Sequence, residues 1–178
     1  KIRNQMRLLK KTKSEGEDLL CEYMDDVKIG DKTNREGHAA KVYFYALFGK
    51  KFTRNKVCDV NAALNYGYNV LLSTFNKEVV CNGYLTQIGI HHKNEFNEFN
   101  LSCDLMEPFR VIIDNFVYHN LDREFDQQYK LDLVNIFNNT YLYKKKKYTL
   151  KDIIRLYTQD ILQSLTTDSK YGEFIYEE

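Results

Sequence analysis

The sequence predicts an all-α protein, a compact multi-helix domain, on three observations. Its 178 residues include one proline and eight glycines, too few chain breakers for a turn-rich β-architecture. Apolar residues recur at steps of three and four through most of the chain. No alternating stretch is long enough to read as a useful strand. The length suggests one large domain or at most two small ones. A chain of this size buries roughly 70% of the surface that its unfolded form exposes, so its core needs no staples.

Taken in order, KIRNQMRLLKKTK carries six positive charges and no negative one, and reads as a basic connector or helix over residues 1–13. A short amphipathic helix is expected over Glu15 to Val27, stopped by the Gly30–Asp31 turn signal. Asn34 is the expected N-cap of REGHAAKVYFYALF, and Gly49 its stop. A basic loop, Lys50 to Lys56, leads to Asp59 as cap of DVNAALNYGYNVLLSTF. A further helix is expected from about Glu78 to His91 or His92, followed by the loop KNEFNEFN. The segment SCDLMEPFRVIIDNFVYHNL reads as a helix with the proline near its start. Asp122 to Asn138 reads as another, YKKKK as a basic loop, and Thr149 with Asp152 as an approximate capping box for LKDIIRLYTQDILQSL. Residues 167–178 lack periodicity and read as a tail.

Composition excludes several classes. Lys and Arg total 26 against 25 Asp and Glu, a net charge of +1, so the chain is no bulk polycation and does not announce a nucleic-acid partner by charge alone. Hydrophobic residues at 43% and charged residues at 29% make a globular mixture, not a disordered one. Cys21, Cys58, Cys81 and Cys103 stand too far apart for any CxxC unit, which leaves zinc ribbons, thioredoxin motifs and a secreted disulfide framework unsupported. Reduced thiols in a cytoplasmic protein are expected. The longest apolar stretch, Val42 to Phe48, is far shorter than the roughly 20 residues of a membrane span. No signal-peptide pattern opens the chain, and its start at Lys1 fits a piece of a longer protein.

Three polar residues break the solvated pattern. Glu36 shares its stripe with Ala40, Tyr43 and Leu47, where a carboxylate is costly unless a positive or protonated group meets it. His92 falls on the stripe of Cys81, Leu85 and Ile88 if that helix persists so far. Glu107 follows Asp104 by three residues, so both project from one side of their helix. A Glu, a His and a second acid supplied by three helices make the inventory of a divalent-metal site; oxygen ligands suit Mg2+ and Mn2+, and an imidazole leans toward Mn2+. Each residue also has a plainer reading. Glu36 complements a helix dipole, His92 is a hydrogen-bonded helix end, and Asp104 with Glu107 forms a capping box with Pro108 just inside the helix. Spacing leaves both readings open.

Read as strings, REGHAAKVYF, NAALNYGYNVLL, NGYLTQIGIHH and FNEFNLSCDLMEPFR, in that order and at those separations, resemble the CRISPR-associated spacer integrase, the first-numbered Cas protein, in the form found in type II systems. The likeness runs from about Asn34 to Tyr118. It implies an all-helical C-terminal catalytic domain spanning residues 1–178, without the family's β-rich N-terminal domain. It also implies a catalytic and metal-binding set of Glu36, His92 and Glu107, with Asp104 as a nearby second carboxylate and His91 as the other member of the doublet. The activity implied is that of a metal-dependent DNA endonuclease and integrase, using Mg2+ or Mn2+. Such an enzyme inserts a spacer into the repeat array by 3′-hydroxyl attack on a phosphodiester, without a covalent protein intermediate.

The resemblance further implies double-stranded DNA as partner, a homodimer of the full-length protein and a small ferredoxin-like second-numbered Cas protein, in a prokaryotic cytoplasm. DNA contact is expected from Arg3, Arg7, Lys10 and Lys11, from Lys50, Lys51 and Arg54, and from Lys144, Lys145, Lys146 and Lys147, each also readable as a solvated surface. Arg110 is a candidate ion-pair partner near Glu107. Two other classes remain: a non-catalytic helical module that binds DNA or a protein, and an HD-type metal phosphohydrolase. The absence of any His-Asp dipeptide argues against the second.

Overall fold

The structure, a computed structural model, describes residues 1–27, 31, 33–167 and 172–177. Eight α-helices occur among these residues: α1 (Ile2–Thr12), α2 (Glu17–Asp26), α3 (Arg35–Phe48), α4 (Asp59–Cys81), α5 (Asn100–Met106), α6 (Arg110–Tyr118), α7 (Gln127–Asn135) and α8 (Leu150–Thr166). A small antiparallel pair, β1 (Thr140–Tyr143) and β2 (Lys146–Thr149), precedes α8. The all-α class holds.

Helix α4 is the central element and packs against α5, α6, α7 and α8. Its buried stripe is Ala63, Leu64, Gly67, Tyr68, Leu71, Phe75 and Val79, the i, i+3, i+4 spacing that one helix face requires. Gly67 lets α6 come close, since a Cβ there would lie 2.4 Å from Ile113 Cγ2. Helices α1, α2 and α3 pack on one another, and α1 also reaches α6. No helix among the described residues is long and apolar enough to cross a membrane.

The structure corrects several boundaries, each for a local reason. Helix α4 absorbs the start of the helix expected over Glu78 to His92 and ends at Cys81. Gly83 turns there with φ 81°, its N–H and that of Tyr84 bonding back to Val80 and Val79 carbonyls, which is how a left-handed glycine closes a helix. Residues 82–99 are turns, so the stripe joining His92 to Cys81, Leu85 and Ile88 does not form. Helix α5 starts at Asn100, two residues before the expected Ser102, and Asp104 lies within it. The Asp104–Glu107 capping box is therefore absent, and Pro108 instead breaks the run into a 3-10 turn over Glu107–Phe109 before α6.

Helix α7 begins at Gln127 and not near Asp122, because the Asp126 carboxylate accepts the Tyr129 N–H at 2.7 Å. Cys58, not Asp59, precedes the first turn of α4. Helix α2 is shorter at both ends than expected, and Gly30 lies outside the described residues. The YKKKK loop is a hairpin turn. Lys144 and Lys145 both adopt positive φ, 50° and 65°, the two-residue geometry that matches strand twist without the usual Asn-Gly signal.

The tail is also part of the core. Phe174 and Tyr176 are buried, and Phe174 stacks on Phe109 with ring centroids 3.9 Å apart. Asn4 of α1 donates to the Phe174 carbonyl and accepts from the Tyr176 N–H. Helices α3, α4 and α6 are joined by Asp114, fully buried, whose carboxylate accepts from the hydroxyls of Tyr43 and Tyr68.

Burial pushes the Asp114 carboxyl up to about 6, although Tyr68, Tyr43, Arg110 and Arg54 all favour its charged form. The folded state thus holds a proton that the unfolded chain releases from about pH 4. That stability is fully present below the unfolded value and is lost as pH rises toward 6. We expect wild-type stability relative to Asp114→Asn to fall by at most about 3 kcal/mol between pH 4 and 6 in urea unfolding. A difference that rises over this window would show that the hydrogen bonds outweigh burial.

Candidate active site

Asp31 sets the start of α3, its carboxylate accepting the N–H groups of Arg35 and Glu36 at 2.8 and 2.9 Å. Those bonds, that of Glu36 foremost, hold the Asp31 carboxyl below its usual range. Asn34 is the residue before the helix, yet its side chain makes no capping bond. Glu36 is thereby fixed in the first turn, while Glu107 opens the 3-10 turn after α5. Their carboxylates meet across one positive group. The Lys1 ammonium lies 3.2 Å from Glu36 Oε2 and 3.1 Å from Glu107 Oε1. Both glutamates line a cavity of about 310 Å³ together with His91, Asp104, Tyr157 and Ser164.

His91 and His92 part ways. His91 lines that cavity, whereas His92 lines the neighbouring recess with Gly89, Asn97 and Asn100. His92 Nδ1 hydrogen-bonds Asp104 Oδ1. Asp104 also accepts the N–H groups of Ile90 at 2.6 Å, His91 at 2.8 Å and His92 at 3.1 Å, so one carboxylate anchors the whole histidine turn. Burial raises its pKa, but the His91 and His92 bonds outweigh burial and hold it below the ordinary value. Gly89 belongs to the same device, since a Cβ there would stand 2.3 Å from the His92 carbonyl oxygen.

The structure thus brings Glu36 and Glu107 together and turns His92 toward Asp104. Among the described residues, no group of three His, Cys, Asp or Glu side chains stands ready to hold an ion. The two carboxylates nonetheless fit a divalent cation by donor chemistry, since oxygen ligands already converge on a cation between them. Lys1 was invisible to pattern reasoning, being 35 and 106 residues from its partners. The α8 contribution to the cavity, Tyr157 and Ser164, had no signal in spacing either.

The basic candidates divide. Arg3 and Arg7 pair with Glu173 and Glu177 of the tail at 2.5 Å each. Arg54 binds Asn61 and Asn65 and lies over the rings of Phe44 and Tyr68. Arg110 lies over Tyr68, 5.2 Å from its ring centre, and makes no ion pair with Glu107 among the described residues. Lys144 pairs with Asp160 at 2.6 Å. Lys11 donates to the Tyr176 hydroxyl at 3.4 Å and lies over that ring, while Lys10, Lys50, Lys51, Lys145, Lys146 and Lys147 are exposed.

The family model described as CRISPR associated protein Cas1 matches residues 1–150. A Neisseria meningitidis protein named CRISPR-associated endonuclease Cas1 is 43% identical over 123 residues, covering 67% of this chain and 40% of that protein. A Francisella tularensis subsp. novicida namesake is 25% identical over 167 residues, 83% of this chain and 52% of that protein. The chain therefore spans about half or less of these relatives. A Cas1 protein from Thermotoga maritima superposes with a TM-score of 0.77 at 18% identity, over 93% of this chain and 62% of that one. A casposase bound to integration product superposes at 0.70 and 19%, over 96% and 64%. A Cas6-RT-Cas1–Cas2 complex does so at 0.80 and 20%, over 99% of this chain and 24% of that one.

Gly89→Ala tests the histidine turn. The new Cβ must displace the His92 carbonyl and loosen the Asp104 bonds. We expect amide exchange at Ile90, His91 and His92 to accelerate about tenfold, equivalent to ~1.4 kcal/mol of local opening. Unchanged exchange would show that Asp104 does not hold the turn.

Proposed function

The chain belongs to the CRISPR-associated Cas1 family, and from that premise we propose that it is the catalytic domain of a metal-dependent DNA integrase and endonuclease that inserts spacers into a repeat array. The observation that carries this reading is the convergence of Glu36 and Glu107, from different elements, on one positive group at a cavity wall. These carboxylates would hold a Mg2+ or Mn2+ ion, with an imidazole from the histidine doublet as a third ligand. Motif position selects His92 and cavity position selects His91, and separate alanine variants distinguish them by Mn2+ affinity. A bound divalent ion supplies charge neutralisation at the phosphodiester and aligns the attacking and leaving oxygens.

The chain's own residues do the rest. Asp104 keeps the histidine turn closed against α5, so the imidazole is presented from a backbone that does not wander. Reaction is by direct attack of a 3′-hydroxyl, so no side chain acts as a covalent nucleophile. The exposed lysines on the hairpin (Lys145, Lys146, Lys147) and after α3 (Lys50, Lys51) position the strand through phosphates and read no sequence. Double-stranded DNA, a second copy of the full-length chain and a small second-numbered Cas protein are the proposed partners. The likeness to a chain in a Cas1–Cas2 complex supports the last.

Metal binding separates this reading from a non-catalytic helical module. Glu107→Ala should abolish strand joining by the full-length protein with its small partner, and remove any rise in Tm on adding Mn2+. Without metal its stability should change by no more than about 1 kcal/mol, because the pair is partly exposed and Lys1 keeps Glu36 as a partner. A destabilised variant that still joins strands would end the ligand role of Glu107 and move it to Asp104.

DNA binding is checked by salt. Each phosphate neutralised steepens the log–log salt dependence by roughly 0.9. Replacing Lys145, Lys146 and Lys147 with alanine should flatten it by about 2 to 3 units. Lys144 is left in place because Asp160 already occupies it. An unchanged slope would return the hairpin to a plain solvated turn.

A further inference from the structure

We propose that the Lys1 ammonium is the resident counter-ion of the Glu36–Glu107 pair, and that a divalent ion enters the site only by displacing it. The inference rests on the metal-site reading above and goes beyond it, since it assigns Lys1 a positioning role that neither the resemblance nor the motifs named.

Three observations carry it. The ammonium makes near-equal contacts, 3.2 and 3.1 Å, with one oxygen of each glutamate, which is where an ion shared by the two would have to sit. The side chain can leave. It is 22% exposed and, among the described residues, held only by the two glutamates, so it can swing outward by rotamer change while the Lys1 carbonyl stays bonded to the Asn4 and Gln5 N–H groups. The helix behind it stays put, because Ile2 is buried and Asn4 is bonded to the Pro108 and Phe174 carbonyls.

Electrostatics gives the exchange a direction. Two carboxylates this close repel unless a cation lies between them. The ammonium neutralises one of the two charges, so the three groups together carry one net negative charge. Entry of a divalent ion makes the same group one net positive. The released ammonium remains tethered beside the site, where an incoming phosphodiester brings its own negative charge. Lys1 thus holds the carboxylates together in the metal-free chain and becomes a local positive charge once the ion is bound.

The test is Mn2+ titration by calorimetry and thermal unfolding, on wild type, Lys1→Met and Lys1→Arg. Lys1→Met should bind Mn2+ about tenfold more tightly, the size of a modest coupling between ligands that compete for one place. Its Tm should be lower than wild type without metal and should equal it at saturating Mn2+. Lys1→Arg keeps the charge and should bind within about twofold of wild type. If Lys1→Met fails to fold, Lys1→Gln carries the same expectation with less loss of contact. A merely structural lysine would lower Tm equally with and without Mn2+ and leave affinity unchanged, which would overturn the proposal. Weaker binding by Lys1→Met would overturn it too, by showing that the lysine assists the ion. A wild-type chain that binds no Mn2+ ends both this inference and the metal-site reading, whereas wild-type binding without the gain in Lys1→Met ends this inference alone.

Discussion

The crossing of α4 and α6 at Gly67 governs where everything else can stand. With only a hydrogen at that position, Ile113 fits against the α4 backbone, and α6 lies close along a helix about 35 Å long. Asp114, next in sequence, then meets Tyr68 of α4 and Tyr43 of α3 in the same buried layer. That single carboxylate is costly to bury, and it persists because two hydroxyls donate to it and two arginines stand nearby. Pro108 breaks the run from α5 to α6 into a 3-10 turn just before that crossing. Glu107 sits at that break.

The site is built from opposite solutions to one problem. Asp104 is neutralised by peptide N–H dipoles and one imidazole, which fixes a backbone turn. Glu36 and Glu107 are neutralised by a flexible side chain, which fixes nothing permanently. A carboxylate held by backbone suits a support, and carboxylates held by an exchangeable cation suit ligands. The different surroundings of Asp104 and Glu107, three residues apart, follow from what each is bonded to and not from spacing.

The basic segments show why charge runs alone mislead. Arg3 and Arg7 look free in a stretch without acids, yet the tail brings Glu173 and Glu177 across from the other end of the chain. Arg54 looks like a phosphate contact and is instead a brace between two asparagines and two aromatic rings. The same tail that pairs the arginines also inserts Phe174 beneath Phe109, so a segment without periodicity contributes core. Periodicity reports faces of regular elements, and an extended tail needs none to bury alternate residues.

The sequence by itself determined the helical class and the course of α3 and α8, and it picked out Glu36, His92, Asp104 and Glu107 as polar residues set apart from the solvated pattern. Those depend on local spacing, on chain breakers and on motifs contiguous in the chain. The helix expected to carry His92 failed because Gly83 ends α4 in a left-handed turn, and just beyond it the Tyr84 hydroxyl donates to the Leu162 carbonyl of α8. The Lys144–Lys145 turn was unreadable because its positive φ values fall on residues that do not favour them, and strand pairing supplied the difference. Tertiary structure alone decided that His91 faces the cavity while His92 faces Asp104, and that Lys1 stands between Glu36 and Glu107. Contacts 35 and 106 residues apart leave no periodic trace, because they are set by how helices pack and not by how any one of them forms.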